Sequence, residues 1–310
     1  MNSIYTETEE QYRRYARLAS LSAIGIVLFL ILIKGATYYL SGSATFLGSL
    51  ADSIVDGAVS LMMLAALQLS IKPADEQHRH GHGKIEGVAA LFQSAFLAAA
   101  GLFIVLEAFS RFIDLRPVSH EWLGISVSIL SILLTGALIM VQRYCLKRAP
   151  SLAIEADMAH YKTDFLLNSA VIIVLLAYVF GAPIWLDPLA AVCVAAYFFW
   201  EGARIALKSL DMLLDKEVSK DVRQKIEAIV SAHQETKGIH DLRTRQSGMT
   251  LHISFDVEME PELTLRASHD IVRELEQEIV AAFPQAEVLI HVDPRGDTHD
   301  TRHKVAGIHH

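Results

Sequence analysis

Six apolar stretches decide most of what this chain can become. Each is long enough, at about 1.5 Å of helical rise per residue, to cross a hydrocarbon core of about 30 Å. They cover residues 18–40, 44–71, 85–112, 122–141, 152–180 and 188–207. The sixth starts where Asp187 is expected as an N-cap and Pro188 as the first helical residue. The stretches account for a hydrophobic content of 52% in 310 residues, too apolar for an ordinary soluble protein. The expected division is a six-span membrane domain over 1–210, a small soluble domain over 211–294 and a flexible tail over 295–310.

An even number of spans places both termini on one side. Arg13, Arg14, Arg17, Lys72, Arg79, Lys84, Arg143, Lys147, Arg148, Arg204 and Lys208 flank the spans on that side, against Arg111 and Arg116 on the other. The positive-inside rule therefore predicts cytoplasmic termini. The residues before Leu18 are polar and charged, unlike a cleavable signal, so the first span is expected to act as the targeting signal. A net charge of −8 argues against nucleic acid and for cations as partners. Cys145 and Cys193 fit neither metal nor redox spacing.

Beyond Asp211 the periodicity changes. Residues 218–232 and 265–283 read as amphipathic helices, and 239–245, 251–259 and 287–292 as strands. The α-β-β-α-β order suits a small α+β domain with helices on one face of a short sheet, behind a membrane all-α six-helix bundle. The terminal histidines are expected to bind metal weakly at most.

Ionisable pairs interrupt two spans: Asp52 with Asp56, and His160 with Asp164. Spacing of four puts each pair on one helix face, and charges retained in hydrocarbon usually mark an ion path. Three carboxylates and one imidazole match the ligand number and type of tetrahedral Zn²⁺. Helix–helix glue is the bland alternative. Ser49, Ser53, Thr163 and Asn168 are candidates to orient these ligands. In the second-to-third loop Asp75, His78 and His82 share a face if the segment is a helical extension, with His80 out of phase. A solvated loop is the alternative there. Metal ligands must be deprotonated, so metal entry would expel protons, with His160 the expected carrier. A metalloprotease is not expected, since Tyr161 stands where a His-Glu-x-x-His motif needs glutamate. A passive divalent-cation channel and a membrane metal sensor are the competing classes.

The strings LGSLADSIVDG, PADEQHRHGHGKIEG, ADMAHYKTDFLLNS, LLDK, GIHDLRTRQSG and LIHVDP, with the six spans and the α-β-β-α-β tail, resemble the cation diffusion facilitator family, in particular its bacterial zinc and ferrous-iron efflux type. The likeness runs from about residue 14 to 294. It implies that Asp52, Asp56, His160 and Asp164 form the transport site and Asp75, His78 and His82 an interfacial site. It also implies that His240, His269, His291 and Asp293 form a cytoplasmic metal site between two protomers, and that Lys84 pairs with Asp215. A homodimer in the lipid bilayer of the bacterial inner membrane is implied, exchanging Zn²⁺, with Cd²⁺ or Fe²⁺ as alternatives, for protons by alternating access. One position departs from the family: Asp256 stands where a further metal-binding histidine belongs, with His252 four residues earlier on the same strand face. Which of the two completes the site is left open by the sequence.

Overall fold

A computed structural model describes residues 2–42, 44–113 and 122–296. Arg116 and residues 297–310, on which part of the topology count and most of the expected flexible tail fall, lie outside the described residues. Six helices come first: α1 (Asn2–Ser41), α2 (Ala44–Ser70), α3 (Ile85–Ile113), α4 (Trp122–Leu146), α5 (Leu152–Val179) and α6 (Leu186–Leu213). All six are long and apolar enough to cross a membrane. Then follow α7 (Lys220–Ala232), β1 (Gly238–Ser247), β2 (Thr250–Met259), α8 (Leu265–Ala282) and β3 (Ala286–Pro294). The chain divides into two compact units, Gln11–Leu210 and the part from Asp211 onward together with Met1–Glu10.

Several helices outrun their apolar stretches. The polar residues ahead of Leu18 are good helix formers and continue α1 back to Asn2, since a helix entering water satisfies its own backbone. α6 opens at Leu186, so Asp187 and Pro188 lie inside its first turn instead of capping it. Proline is tolerated there because the first amides lack intrahelical acceptors.

Within the first unit, α5 packs on α2, α3 and α4. Small residues set the closest approaches. A Cβ at Gly101 of α3 would meet Phe198 Cβ at 3.2 Å, and one at Gly202 of α6 would meet the Ser94 carbonyl oxygen at 3.3 Å, so α3 and α6 touch along two glycines. Arg111 of α3 also reaches Asp187 of α6 at 2.9 Å. Leu32, Phe103, Ile173 and Val179 are among the large apolar side chains left exposed, as a lipid-facing surface requires.

At the end of the bundle that carries the α2–α3 loop, Glu86 is fully buried. Its carboxylate accepts from Tyr12 on α1 (2.5 Å), Ser70 on α2 (3.1 Å), Ser151 before α5 (2.6 Å) and the Ala153 amide (3.4 Å). The acid thereby sits against the unpaired amides of a helix N-terminus, where negative charge is favoured.

The second unit has a three-stranded sheet in the order β1-β2-β3. β1 pairs antiparallel with β2, and β3 runs parallel to β2, which requires the crossover that α8 supplies. Leu251, Ile253, Phe255, Val257 and Met259 alternate along β2 toward a core completed by Ile226 and Val230 of α7 and Ile271, Leu275 and Ile279 of α8. The intervening residues of β2, including His252 and Asp256, line the opposite face.

Candidate metal centre

The membrane quartet closes only in part. His160 Nε2 on α5 lies 3.0 Å from Asp56 Oδ1 on α2 and 3.4 Å from Asp164 Oδ2 one turn along its own helix. The three ligand atoms lie within 4.8 Å of one another. Their side chains are 13%, 16% and 24% exposed for His160, Asp56 and Asp164, so the group is shielded yet reachable. Asp52, one turn back along α2, is exposed and stands outside this trio. Thr163 and Asn168 do not grip the ligand side chains: Thr163 Oγ1 donates to the His160 carbonyl (2.6 Å) and Asn168 Nδ2 to the Asp164 carbonyl (2.9 Å). They fix the α5 backbone beneath the ligands instead.

Two neighbours escaped the sequence reading although the rule that found the quartet applies to both. Asp157, one turn before His160 and buried, accepts from Ser60 (3.2 Å) and Gln142 (2.7 Å), and Ser60 also meets the Tyr161 hydroxyl at 2.6 Å. Lys34 in α1 is buried and donates to Ser53 at 2.6 Å.

The loop triad forms without the helix. Residues 72–84 hold no helix, because two Asp75 Oδ1 bonds from the amides of Gln77 (2.9 Å) and His78 (2.7 Å) close a local turn that competes with helix. Gly81, at φ +75°, then reverses the chain. The result sets His78 Nδ1 3.2 Å and His82 Nε2 3.4 Å from the Asp75 carboxylate, with the two rings 4.5 Å apart. Chiefly the His78 amide, and further the Gln77 amide and His78 ring, hold the Asp75 carboxyl below its usual range, against a smaller effect of desolvation.

The third group lies on the polar face of the sheet. The register aligns His240, Asp256 and His291 across the three strands. His240, Asp256 and Asp293 offer ligand atoms within 4.8 Å of one another, with His240 Nε2 3.3 Å from Asp293 Oδ2 and His240 Nδ1 3.7 Å from Asp256 Oδ2. His291 Nε2 meets Asp293 Oδ1 at 3.1 Å and is itself exposed. His269 is exposed on α8 and shares a cleft with Asp293 without joining the trio. His252 lies two rows away along the same face, paired with Glu287 at 3.0 Å. The structure thus gathers Asp256 and not His252 with His240. Asp215 lies 3.4 Å from Arg245.

Mixed imidazole and carboxylate donors recur in all three groups, a set suited to borderline divalent ions. The chain matches the cation efflux transmembrane domain over residues 20–214 and the cation efflux protein cytoplasmic domain over residues 218–295. A protein named cation-efflux pump FieF from Shewanella oneidensis is 39% identical over 284 residues, which covers 92% of this chain and 96% of that protein. Its namesake from Serratia proteamaculans is 37% identical over 286 residues, covering 92% and 95%. Among solved structures, the metal-bound C-terminal domain of the CzcD transporter from Thermotoga maritima is 22% identical and covers 26% of this chain and 100% of that one, with a TM-score of 0.25.

Proposed function

This chain belongs to the cation efflux family, and from that premise we propose that it exports a divalent transition-metal cation from the cytoplasm in exchange for protons. As a cation-efflux transporter it is not an enzyme. Zn²⁺ is the principal cargo in this reading, with Cd²⁺ and Fe²⁺ as further ones. The observation that carries it is the convergence of Asp56, His160 and Asp164 from two helices of membrane-crossing length, with Asp52 one turn away to complete four ligands.

A cation that enters must find ionised carboxylates and a neutral imidazole, so protons and metal compete for the same atoms, and that competition couples their flows. Asp75, His78 and His82 present a second set at the loop, where they would gather cations from the cytoplasm. His240, Asp256, His291 and Asp293, with His269 nearby, would hold a regulatory metal at the contact between two protomers. The protein is then a homodimer of the bacterial inner membrane with both termini cytoplasmic.

The test is initial Zn²⁺ flux in proteoliposomes with and without a proton gradient. Asp56→Ala and His160→Ala each reduce flux at least about a hundredfold while the protein stays folded. Near-parental flux in either variant sinks the site assignment. Flux in the parent that ignores the proton gradient makes it a channel, and metal binding without flux makes it a sensor.

A further inference from the structure

Between Leu18 and Leu40 the sequence carries one charged residue, Lys34, and the structure buries it. Ammonium groups inside a membrane span are costly and are kept where they serve an ion path. Lys34 Nζ donates to Ser53 Oγ at 2.6 Å. Ser53 is itself buried and lies between Asp52 and Asp56 on α2. The ammonium is thereby tethered beside the transport group, through the residue that directly follows Asp52 and precedes Asp56 by three.

We propose that Lys34 is a resident counter-charge of the transport site, held through Ser53, which matches the carboxylate charge that a divalent cation leaves over. The inference rests on the transport-site reading of Asp52, Asp56, His160 and Asp164. Three carboxylates bring three negative charges, a neutral imidazole none, and a divalent cation cancels two. The third is cancelled by the lysine. Asp157, one turn earlier on α5, is served by its own donors Ser60 and Gln142 and contributes alike with or without Lys34.

Two effects of opposite sign follow. A positive charge beside the site repels the cargo, which weakens its hold on the bound ion. The same charge removes surplus negative charge from the loaded site, and net charge is what makes a low-dielectric environment expensive. Lys34 therefore sacrifices affinity for passage.

The experiment is initial-rate Zn²⁺ flux by the full-length protein in proteoliposomes at fixed pH on both sides, resolved into KM and maximal rate. Lys34→Met, which keeps an unbranched side chain one atom shorter and removes its charge, is expected to lower KM and maximal rate together, each by about tenfold. Lys34→Arg keeps the charge and restores both toward the parent. Ser53→Ala loosens the tether and moves both in the same direction by about threefold. A Lys34→Met protein with parental KM and rate overturns the proposal. So does one with a raised KM and a lowered rate, the pattern of a lysine that merely packs the helices. Should Lys34→Met not fold, Ser53→Ala decides: a joint fall supports the proposal and unchanged values overturn it. His160→Ala in the same assay tests the underlying site, so a failure of the site and a failure of the counter-charge are read from different variants.

Discussion

At the cytoplasmic group the chemistry turns on one atom type. Asp256 meets the His240 ring at 3.7 Å, where an imidazole in its place would offer Zn²⁺ a softer donor. Asp256→His is expected to tighten Zn²⁺ binding by the second unit about tenfold, a gain of about 1.4 kcal/mol, measured by isothermal titration. No change in affinity would remove Asp256 from the metal's shell. In the loop, Asp75 is held below its ordinary range, so its turn is fully stabilised above the unfolded-state value and is lost only as pH falls through the lower folded value. A carboxyl NMR titration should find Asp75 ionised to a pH below about 3.9. Asp75→Asn should leave the Gln77 and His78 amides more rapidly exchanging. The residues themselves were readable from spacing and motif: His160 with Asp164, Asp75 with His78 and His82. Lys34 and Asp157 carry the same signal, a charged group inside an apolar run, without a partner of matching type four residues away to mark them as a pair. His252 or Asp256 was undecidable in sequence, because both point to one strand face and only the partners across the sheet, Glu287 for one and His240 for the other, separate them.

For the elements, apolar length and alternation were strong signals and their ends weak ones. Six helices and an α-β-β-α-β unit follow from periodicity alone, whereas the first turn of α6 at Leu186 and the polar start of α1 depend on backbone hydrogen bonds that hydropathy does not register. The segment around Asp75 misled for a related reason: spacing of three and four suits a helix and suits a turn capped by an aspartate equally well. No periodicity marked Glu86, which joins α1, α2, α3 and the start of α5. Its replacement by alanine strands the Tyr12 and Ser151 hydroxyls in a buried place. Glu86→Ala should destabilise the purified transporter by about 2–4 kcal/mol, and Tyr12→Phe by about 1 kcal/mol, read from unfolding in detergent. Equal melting of Glu86→Ala and the parent would mean that the junction contributes nothing net.

The molecule as a whole combines a bundle that handles the cargo with a sheet unit that carries its own candidate metal group. If the sheet group regulates, its loss should alter assembly more than transport. His240→Ala with His291→Ala should abolish Zn²⁺-dependent strengthening of the dimer, followed by analytical ultracentrifugation, and leave at least about a third of the parental flux. Complete loss of flux in a folded double variant would place the group on the transport path itself. If transport proceeds by the alternating access that the family resemblance implies, the question becomes which helices can part. Long ionic side chains such as Arg204 and Lys208 on α6, both reaching Glu155 of α5, tolerate sliding, because a flexible stem can follow its partner. The seam of Gly101 and Gly202 has no such slack: backbone meets side-chain root and carbonyl directly, and a shift there opens a void or a clash. Probes placed on α3 and α6 should then keep one separation whichever way the site faces, which makes the pair an internal ruler of constant length for calibrating every other distance in the moving transporter.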